Sequence, residues 1–324
     1  MQVWLVLLAS RLSNQPTITK NDKGPSRGLY HVLTPMSKIY VFGSSGFIGR
    51  NLCKALEQQR LHIIGIDRRV PTSPSDIDPN SLVIFLASVS QHTKDTDTAI
   101  EDLKALDKVF QLAKRSKSTV FVASTSSVSG GNTAHACYAK WAEILSAHYK
   151  GQVRTSFLRL YSVYGPGQHD NLIHRAITAG EKGTTLTVNS GHFIRDWIHV
   201  DDVVDYIITM ISLWMARRNV PPVVHIGTGR GLPVETAIDM IETITDKRIQ
   251  RVVGPQLVNE PVVSVAQKIL QGWIPKIKFE QGVLNTYHSY LDHDKQGRDT
   301  EAGSEIHGQG TDEEAEATNG CGSC

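Results

Sequence analysis

Three glycines at regular spacing are the residues of this chain with the clearest chemical use. They occur as Gly43-Ser-Ser-Gly46-Phe-Ile-Gly49, directly after an apolar run of strand length and at the start of a helix-period segment. In such a unit, Gly43 permits the tight turn, Gly46 lets backbone approach a pyrophosphate, and Gly49 lets the helix pack on the strand. The pyrophosphate would rest on the amides of the helix that begins with Phe47 and Ile48. These five residues predict a dinucleotide site; the alternative is a turn that merely caps a helix.

A carboxylate follows the second predicted strand, His62 to Ile66. It is Asp67, which lies 18 residues after Gly49. An acid at this point accepts hydrogen bonds from the adenosine ribose, which favours NAD. Arg68 and Arg69 stand beside it, and a guanidinium there could receive the 2′-phosphate of NADP. The pattern favours NAD and leaves NADP open.

Apolar runs of strand length alternate with helix-period segments from Ser37 onward, which is typical of βαβ units and a parallel sheet. The predicted strands are 38–42, 62–66, 82–87, 119–123 and 155–160. The predicted helices are 47–59, 98–114, 139–149 and 202–215. We therefore predict an α/β fold, with a Rossmann-type doubly wound parallel sheet and a smaller C-terminal substrate lobe.

The composition along the chain predicts four regions. Residues 1–35 are interpreted as a disordered N-terminal extension, and residues 36–165 as the dinucleotide-binding domain. Residues 166–291 have more Pro and Gly and predict a substrate-binding lobe interleaved with that domain. Residues 292–324 are rich in Gly, Asp, Glu, Ser and Thr, which cannot offset their ordering entropy by burial, so we expect a disordered acidic tail.

The overall composition is that of a globular protein. Of 324 residues, 40% are hydrophobic, which argues against general disorder, collagen and membrane bundles. No run reaches the roughly 18 apolar residues of a membrane span. With 34 Lys and Arg against 32 Asp and Glu, the net charge of +2 gives no electrostatic argument for nucleic acid or anionic lipid as a partner.

Cysteine and histidine usage bears on compartment and metals. The four cysteines, Cys53, Cys137, Cys321 and Cys324, are too few and too unevenly spaced for a disulfide framework, which predicts a reducing, cytoplasmic location. The last two form a terminal C-x-x-C without a second ligand pair, interpreted as part of a flexible tail. The 13 histidines show no metal-ligand spacing, so no metal is expected.

Several short motifs lie between Met36 and Leu291. Besides the glycine turn they are Phe85-Leu-Ala-Ser88, Ser124-Thr-Ser-Ser-Val128, Leu158-Arg-Leu-Tyr-Ser-Val-Tyr-Gly-Pro166, Arg195-Asp-Trp-Ile-His-Val-Asp-Asp202, His225-Ile-Gly-Thr-Gly229 and Gly272-Trp-Ile-Pro275. With them the chain resembles the extended short-chain dehydrogenase/reductase family, in its NAD-dependent epimerase/dehydratase branch, which acts on nucleotide sugars. The resemblance implies that Leu86 and Ala87 also contact the cofactor.

The resemblance further implies an acid/base group. In such enzymes a Tyr moves the proton of a sugar hydroxyl, a Lys one turn later lowers the Tyr pKa, and a Ser or Thr binds the reacting oxygen. Thr125, Tyr138 and Lys140 are the matching residues. Two residues apart, Tyr138 and Lys140 would point about 200° apart on a regular helix, so they converge only if Tyr138 precedes the helix proper. Alternatively, Thr125 satisfies backbone groups, Tyr138 is half-buried and Lys140 is solvated.

The substrate contacts implied by the resemblance are Ser126, Ser162 and Arg195. Ser162 replaces the Asn that commonly meets the substrate diphosphate, whereas Arg195 matches the family pattern. The alternative for Arg195 is an ion pair with Asp196 or Asp201. The short intervals before Tyr138 and before the third predicted strand indicate a reduced substrate loop and a sheet that is one strand short.

The implied function is that of an NAD(P)-dependent nucleotide-sugar epimerase/dehydratase-like oxidoreductase, similar to a UDP-glucose 4-epimerase, acting by transient hydride transfer to the cofactor. The alternative is a catalytically impaired dinucleotide-binding sensor or scaffold. Related folds dimerise through the helices matching 98–114 and 139–149, so a homodimer is also implied. The first helix carries an apolar stripe, which could equally face the sheet: Ile100, Leu103, Leu106, Val109, Phe110 and Ala113.

Overall fold

The computed structural model describes residues 38–67, 77–87, 96–131, 133–188, 192–254 and 261–306. Its strands are β1 (Ile39–Phe42), β2 (Ile63–Ile66), β3 (Leu82–Phe85), β4 (Thr119–Thr125), β5 (Arg154–Leu160), β6 (Ser162–Tyr164), β7 (Leu186–Val188), β8 (Ile194–Arg195), β9 (Trp197–His199), β10 (Val223–Ile226), β11 (Leu232–Pro233), β12 (Arg251–Val253) and β13 (Val263–Ser264). Its helices are α1 (Phe47–Gln58), α2 (Thr96–Ser116), α3 (Ala134–His148), α4 (Leu172–Lys182), α5 (Val200–Met215), α6 (Val234–Thr245) and α7 (Phe279–Ile306), with a 3-10 turn at Ser126–Ser129. The expected extension at 1–35, Arg68, Arg69 and the terminal C-x-x-C lie outside the described residues.

A six-stranded parallel sheet organises the fold. Its strand order is β10-β5-β4-β3-β1-β2, so β1 lies between the two strands that follow it in the chain. The winding therefore changes direction at β1, and doubly wound sheets bind ligands outside the carboxyl ends of the strands at such a point. The predicted Rossmann-type fold is confirmed. β2 is the edge strand over the described part of the chain.

Both faces of the sheet are buried, as the continuous apolar runs of its strands require. Successive side chains of a strand point to opposite faces. In β3, Val83 and Phe85 pack in the cluster that contains α2 and α3, whereas Leu82 and Ile84 pack in the cluster that contains α1 and α5. The helices are thereby fixed on two layers around the sheet.

The apolar stripe of α2 faces the sheet. Leu106, Val109, Phe110 and Ala113 are buried in the cluster beneath α2 and α3, and Leu103 packs against that cluster. Ile100, the remaining member, is 41% exposed. The stripe is therefore core apart from Ile100, and an apolar contact surface on this helix pair can use only Ile100 and residues outside the stripe.

The chain after β5 builds a third apolar cluster beside the sheet. Ile177 of α4, Ile238 of α6 and Val283 of α7 are buried in it. Gly183 ends α4 in the left-handed region, with φ of +62°, which a glycine adopts without strain. Phe193, which directly precedes β8, is buried in this cluster and Trp197 of β9 packs against it, so the cluster supports the Arg195 motif.

Helix α7 continues past Leu291, where the disordered tail was expected to begin. The helix extends to Ile306, so residues 292–306 of the predicted tail are helical and the predicted boundary is wrong. Helical backbone groups satisfy one another, so a polar segment can prolong a helix whose first turns are packed. Among the described residues, no helix is both long and apolar enough to cross a membrane.

Replacing the central aromatic side chain of β4 tests the two-layer packing. Phe121 is fully buried between the sheet and the α1/α5 layer, so Phe121→Ala should lower the free energy of unfolding by about 3–5 kcal/mol. Val253→Ala, at a side chain that is 72% exposed, should change it by less than about 0.5 kcal/mol. Urea denaturation followed by circular dichroism measures both; equal effects would contradict the packing.

Candidate dinucleotide and substrate site

The glycine turn lies at the carboxyl ends of β1, β2 and β3. The Gly43 amide donates to the carbonyl oxygen of Ile66 at 2.8 Å, and Leu86 donates to that of Phe42 at 2.8 Å. Gly43 has a φ of +81°, and a Cβ there would lie 2.8 Å from the Ala87 amide nitrogen. Only glycine combines this conformation with this approach, so Gly43 holds the three strand ends together.

The other two glycines set the start of α1. A Cβ on Gly49 would lie 2.0 Å from the Gly43 carbonyl oxygen, which no side chain can occupy. Gly46 is the N-cap and supplies no side-chain hydrogen bond to the helix. A Cβ there would meet only the Gly43 oxygen within 4 Å, at 3.2 Å. The first-turn amides, including those of Phe47 and Ile48, thus adjoin open space, and the cradle fits a pyrophosphate.

The expected ribose and ring contacts surround this turn. Asp67 directly follows β2, while Leu86 and Ala87 directly follow β3; all three are half-buried. Arg68, the residue that would favour NADP, lies outside the described residues. The described contacts therefore place one carboxylate, Asp67, next to the turn that cradles the phosphates.

The contacts of Arg50 could not be predicted from the sequence. Its guanidinium lies 5.6 Å from the centroid of the Phe47 ring and donates to the carbonyl oxygen of Gly167. This contact links the first turn of α1 to the loop after β6. Its position directly after Gly49 was visible in the sequence, but its partner is 117 residues away.

The hydroxyl residues lie where β4 ends. Thr125 is buried, and its Oγ1 accepts a hydrogen bond from the Ser127 amide at 3.3 Å, so that it caps the 3-10 turn. Ser126, the first residue of that turn, is half-buried. Thr125 therefore satisfies a backbone amide, as the alternative interpretation predicted. It still lies at the carboxyl ends of the sheet strands, where doubly wound folds bind ligands.

Tyr138 and Lys140 do not converge. Helix α3 begins at Ala134 with Thr133 as its N-cap, so both residues lie on regular helix and point about 200° apart. Tyr138 is 1% exposed and packs in the core cluster beneath α2 and α3. The Lys140 ammonium instead donates to the Gly131 carbonyl oxygen at 2.7 Å. The expected pairing, with Tyr138 before the helix proper, is wrong.

The residue that shares a helix face with Lys140 one turn earlier is Ala136. It is fully buried, and a Cβ on Gly131 would lie 3.0 Å from its own Cβ. The Gly131 amide also donates to the Ser127 carbonyl oxygen at 2.7 Å, which fixes the loop over this turn of α3. The position four residues before Lys140 therefore carries no group that can move a proton.

Ser162 and Arg195 lie close in the fold, because β6 pairs with β9, which begins two residues after Arg195. The Ser162 amide donates to the Asp196 carbonyl oxygen at 3.0 Å. Arg195 donates to the carbonyl oxygens of Pro261 and Val262 at 3.0 and 3.2 Å, and its guanidinium lies 4.7 Å from the centroid of the Phe193 ring. The substrate residues predicted in this lobe thus form one half-buried cationic corner.

The carboxylate of Asp196 fixes that corner from behind. It is fully buried and accepts hydrogen bonds from the amides of Thr228, Gly229 and Ala266 at 2.8 to 3.0 Å. The Thr228 hydroxyl donates to it as well, at 2.6 Å. Within the described residues, no group of His, Cys, Asp and Glu side chains is arranged to hold a metal ion.

Comparison with known proteins agrees with this architecture. The sequence pattern of the NAD dependent epimerase/dehydratase family matches residues 39–227. This span includes the glycine turn, the β4 and β5 ends and the Arg195 motif. The chain belongs to the NAD dependent epimerase/dehydratase family.

Individual relatives are distant but cover most of the chain. CDP-abequose synthase of Salmonella typhimurium is 25% identical over 76% of this chain and 95% of its own. A probable UDP-glucuronate 4-epimerase of Rhizobium meliloti is 22% identical over 77% of this chain and 96% of its own. The crystal structure of UDP-glucuronic acid 4-epimerase from Bacillus cereus, in complex with UDP-glucuronic acid and NAD, has a TM-score of 0.69 at 22% identity, covering 79% of this chain and 99% of its own. That structural likeness concerns the fold.

The first test of the site adds a side chain to Gly46, the N-cap of α1. Gly46→Val should lower the affinity for NAD by about 100-fold or more, since losing even one charge-assisted amide contact costs about 1.5–3 kcal/mol. Val253→Ala is the control, because that side chain is 72% exposed and lies in the second lobe. Calorimetric titration with NAD measures both variants. Equal affinity of Gly46→Val and parent would remove the cradle from the site.

Proposed function

We propose that this protein is an NAD-dependent oxidoreductase of the nucleotide-sugar epimerase/dehydratase type. The observation that carries the proposal is the glycine cradle at the point where the sheet changes winding direction, in which Gly43 and Gly49 each occupy a position that excludes a side chain and Gly46 caps the helix beside open space. Family membership over residues 39–227 supports it. The alternative, a dinucleotide-binding protein without turnover, would use the same cradle and is distinguished by activity.

The chain's own residues divide the work of binding. The amides at Phe47 and Ile48 would hold the pyrophosphate, Asp67 the adenosine ribose, and Leu86 and Ala87 the wall beside them. When bound there, NAD supplies a nicotinamide ring that accepts a hydride from a sugar carbon and returns it. Arg195 and Ser162 would bind in the other half of the site, because a cation and a hydroxyl suit a diphosphate.

The two relatives and the solved epimerase act on nucleotide sugars, by their names. We infer the same substrate class here from the Arg195 corner, with UDP- and CDP-sugars as the first candidates. A cytoplasmic location is also proposed, supported by the free thiols of Cys53 and Cys137 among the described residues.

Turnover is tested with a panel of nucleotide sugars. Purified protein loaded with NAD should show the near-ultraviolet absorbance of reduced nicotinamide, or convert the sugar, with at least one of UDP-glucose, UDP-glucuronic acid and CDP-glucose. Arg195→Met keeps most of the aliphatic part of the side chain but removes its charge and its hydrogen-bond donors, so it should raise KM by about tenfold or more. Thr243→Val, at a helical side chain that bonds only its own helix, is the control. A parent that binds NAD but converts none of the panel would favour the binding-only alternative.

The preference for NAD over NADP depends on Asp67. Removing the carboxylate in Asp67→Ala should weaken NAD by about tenfold, because ribose hydrogen bonds to a charged acceptor are lost, and should weaken NADP less. Titrations with both dinucleotides measure the change in preference. If the parent already binds NADP more tightly, Arg68 sets the preference instead of Asp67.

A homodimer through α2 and α3 is the proposed assembly. These adjacent helices expose Ile100 at 41%, Trp141 at 41% and Ile144 at 69%, although α2 buries its own stripe. Light scattering should give about twice the chain mass of 35.7 kDa, and Ile144→Glu should halve it. Val253→Glu, at an exposed side chain of the second lobe, should leave the mass unchanged. A monomeric parent at micromolar concentration would contradict the dimer.

A further inference from the structure

The proposed reaction needs a group that moves a proton, and α3 does not provide it in the expected place. Ala136 occupies the Lys140 face one turn earlier, and Tyr138 lies in the core. A hydroxyl oxidised to a carbonyl must lose its O–H proton to a base held within hydrogen-bond reach. The carboxyl ends of the sheet strands, where doubly wound folds bind ligands, are the part of the fold that could supply that base.

A tyrosine and a histidine meet at this edge. Tyr161 directly follows β5, and its hydroxyl lies 2.9 Å from Nδ1 of His225 in β10. The Tyr161 amide also donates to the carbonyl oxygen of Ile226, so the two strands are joined at this point. Leu160, the residue before Tyr161, is paired with Thr125, the last residue of β4. Tyr161 thus lies one residue beyond the level of Thr125 on the neighbouring strand, and it is half-buried.

The backbone fixes the tautomer of His225. The Gln267 amide donates to the same Nδ1 at 3.3 Å. A ring nitrogen that receives an N–H hydrogen bond carries a lone pair and not a proton, so neutral His225 is protonated on Nε2. The Tyr161 hydroxyl must therefore donate to Nδ1. Its own oxygen lone pairs remain able to accept a proton from a ligand.

The surrounding charges keep this pair neutral. Burial lowers the pKa of His225, and the nearby cations Arg159 and Lys268 lower it further, against the opposing effect of Glu143. Burial and the Asp196 carboxylate raise the pKa of Tyr161, against Arg159. At neutral pH the Tyr161 phenol therefore keeps its proton, and Nδ1 of His225 is unprotonated. Nε2 of His225 is buried, which shields the ring from exchange with water on that side.

We propose that Tyr161 is the catalytic acid/base of this protein and that His225 is the positioning residue that receives its proton. The substrate O–H bond breaks and its proton passes to the Tyr161 oxygen, while the Tyr161 O–H bond breaks and that proton passes to Nδ1 of His225. The imidazole becomes imidazolium and the alcohol becomes a carbonyl. Bound NAD would take up the electron pair of the C–H bond at the same carbon as a hydride. The reverse transfers restore the pair.

This inference rests on the proposed function, and its first test separates the two. Tyr161→Phe keeps the ring but removes the hydroxyl, so turnover of the sugar that the parent converts should fall by about 100-fold or more. Affinity for NAD should stay within about twofold. Tyr149→Phe is the matched control, because it loses a hydroxyl bonded to Asp107 at the far end of α3. An active parent with an equally active Tyr161→Phe overturns the relay and leaves the proposed function standing.

The role of His225 is tested by the pH profile. The relay needs an unprotonated Nδ1, so the parent rate should fall as pH drops through the His225 pKa, which lies below its ordinary value of 6.5. His225→Asn keeps an acceptor but cannot titrate, so kcat should fall about tenfold or more while this acid limb disappears. The groups facing His225 are Tyr161, Arg159, Glu143 and Lys268, and Lys268→Gln should move the limb toward higher pH. An unchanged limb in His225→Asn contradicts the relay.

A spectroscopic test does not depend on activity. In nitrogen-15 spectra of the NAD-free protein, His225 should show an unprotonated Nδ1 and a protonated Nε2, and Tyr161→Phe should shift the Nδ1 resonance. If the parent converts no sugar, the proposed function and the catalytic role of Tyr161 both fail, whereas this spectrum still decides whether Tyr161 donates to His225. A neutral His225 protonated on Nδ1 overturns the relay. So does an active parent in which Tyr138→Phe abolishes turnover and Tyr161→Phe does not.

Discussion

The contact between Gly49 and the Gly43 carbonyl oxygen is the constraint on which the rest of the structure depends. Even one carbon at Gly49 would come within 2.0 Å of that oxygen. Because nothing intervenes, α1 starts directly above the end of β1, and its first amides face the crevice between β1 and β3. The edge where β4, β5 and β10 end is built on the same sheet, so the phosphate cradle and the proton-moving groups share one rigid base.

Much of the fold could be predicted from sequence because its strands are buried on both faces and form continuous apolar runs. Helix boundaries were less accessible. The start of α3 at Ala134 depends on the Thr133 side chain, which accepts from the Ala136 amide at 3.2 Å, and the apolar period alone placed the start five residues later, at Ala139. The end of α7 was missed because composition reports burial and not local helical hydrogen bonding.

The cofactor residues were accessible from spacing because the cradle is local in sequence. The proton-moving residues were not. Tyr138 and Lys140 could be found as residue types, but only the regular helix of α3 shows that they face apart. Tyr161 and His225 are separated by 64 residues and meet because β5 and β10 are paired. Contacts of this kind depend on strand order, which no spacing rule contains.

The buried carboxylate of Asp196 affects how fast the protein unfolds more than how fast it folds. Its four hydrogen bonds reach residues 32 to 70 positions further along the chain, so each closes a long loop. Contacts with such separations form late in folding, after the loop-closure entropy has been overcome. Interactions absent from the transition state act mainly on the rate of unfolding. We therefore expect the hydrogen bonds of Asp196 to slow the unfolding of the region around Arg195, and to contribute little to the rate at which this region folds.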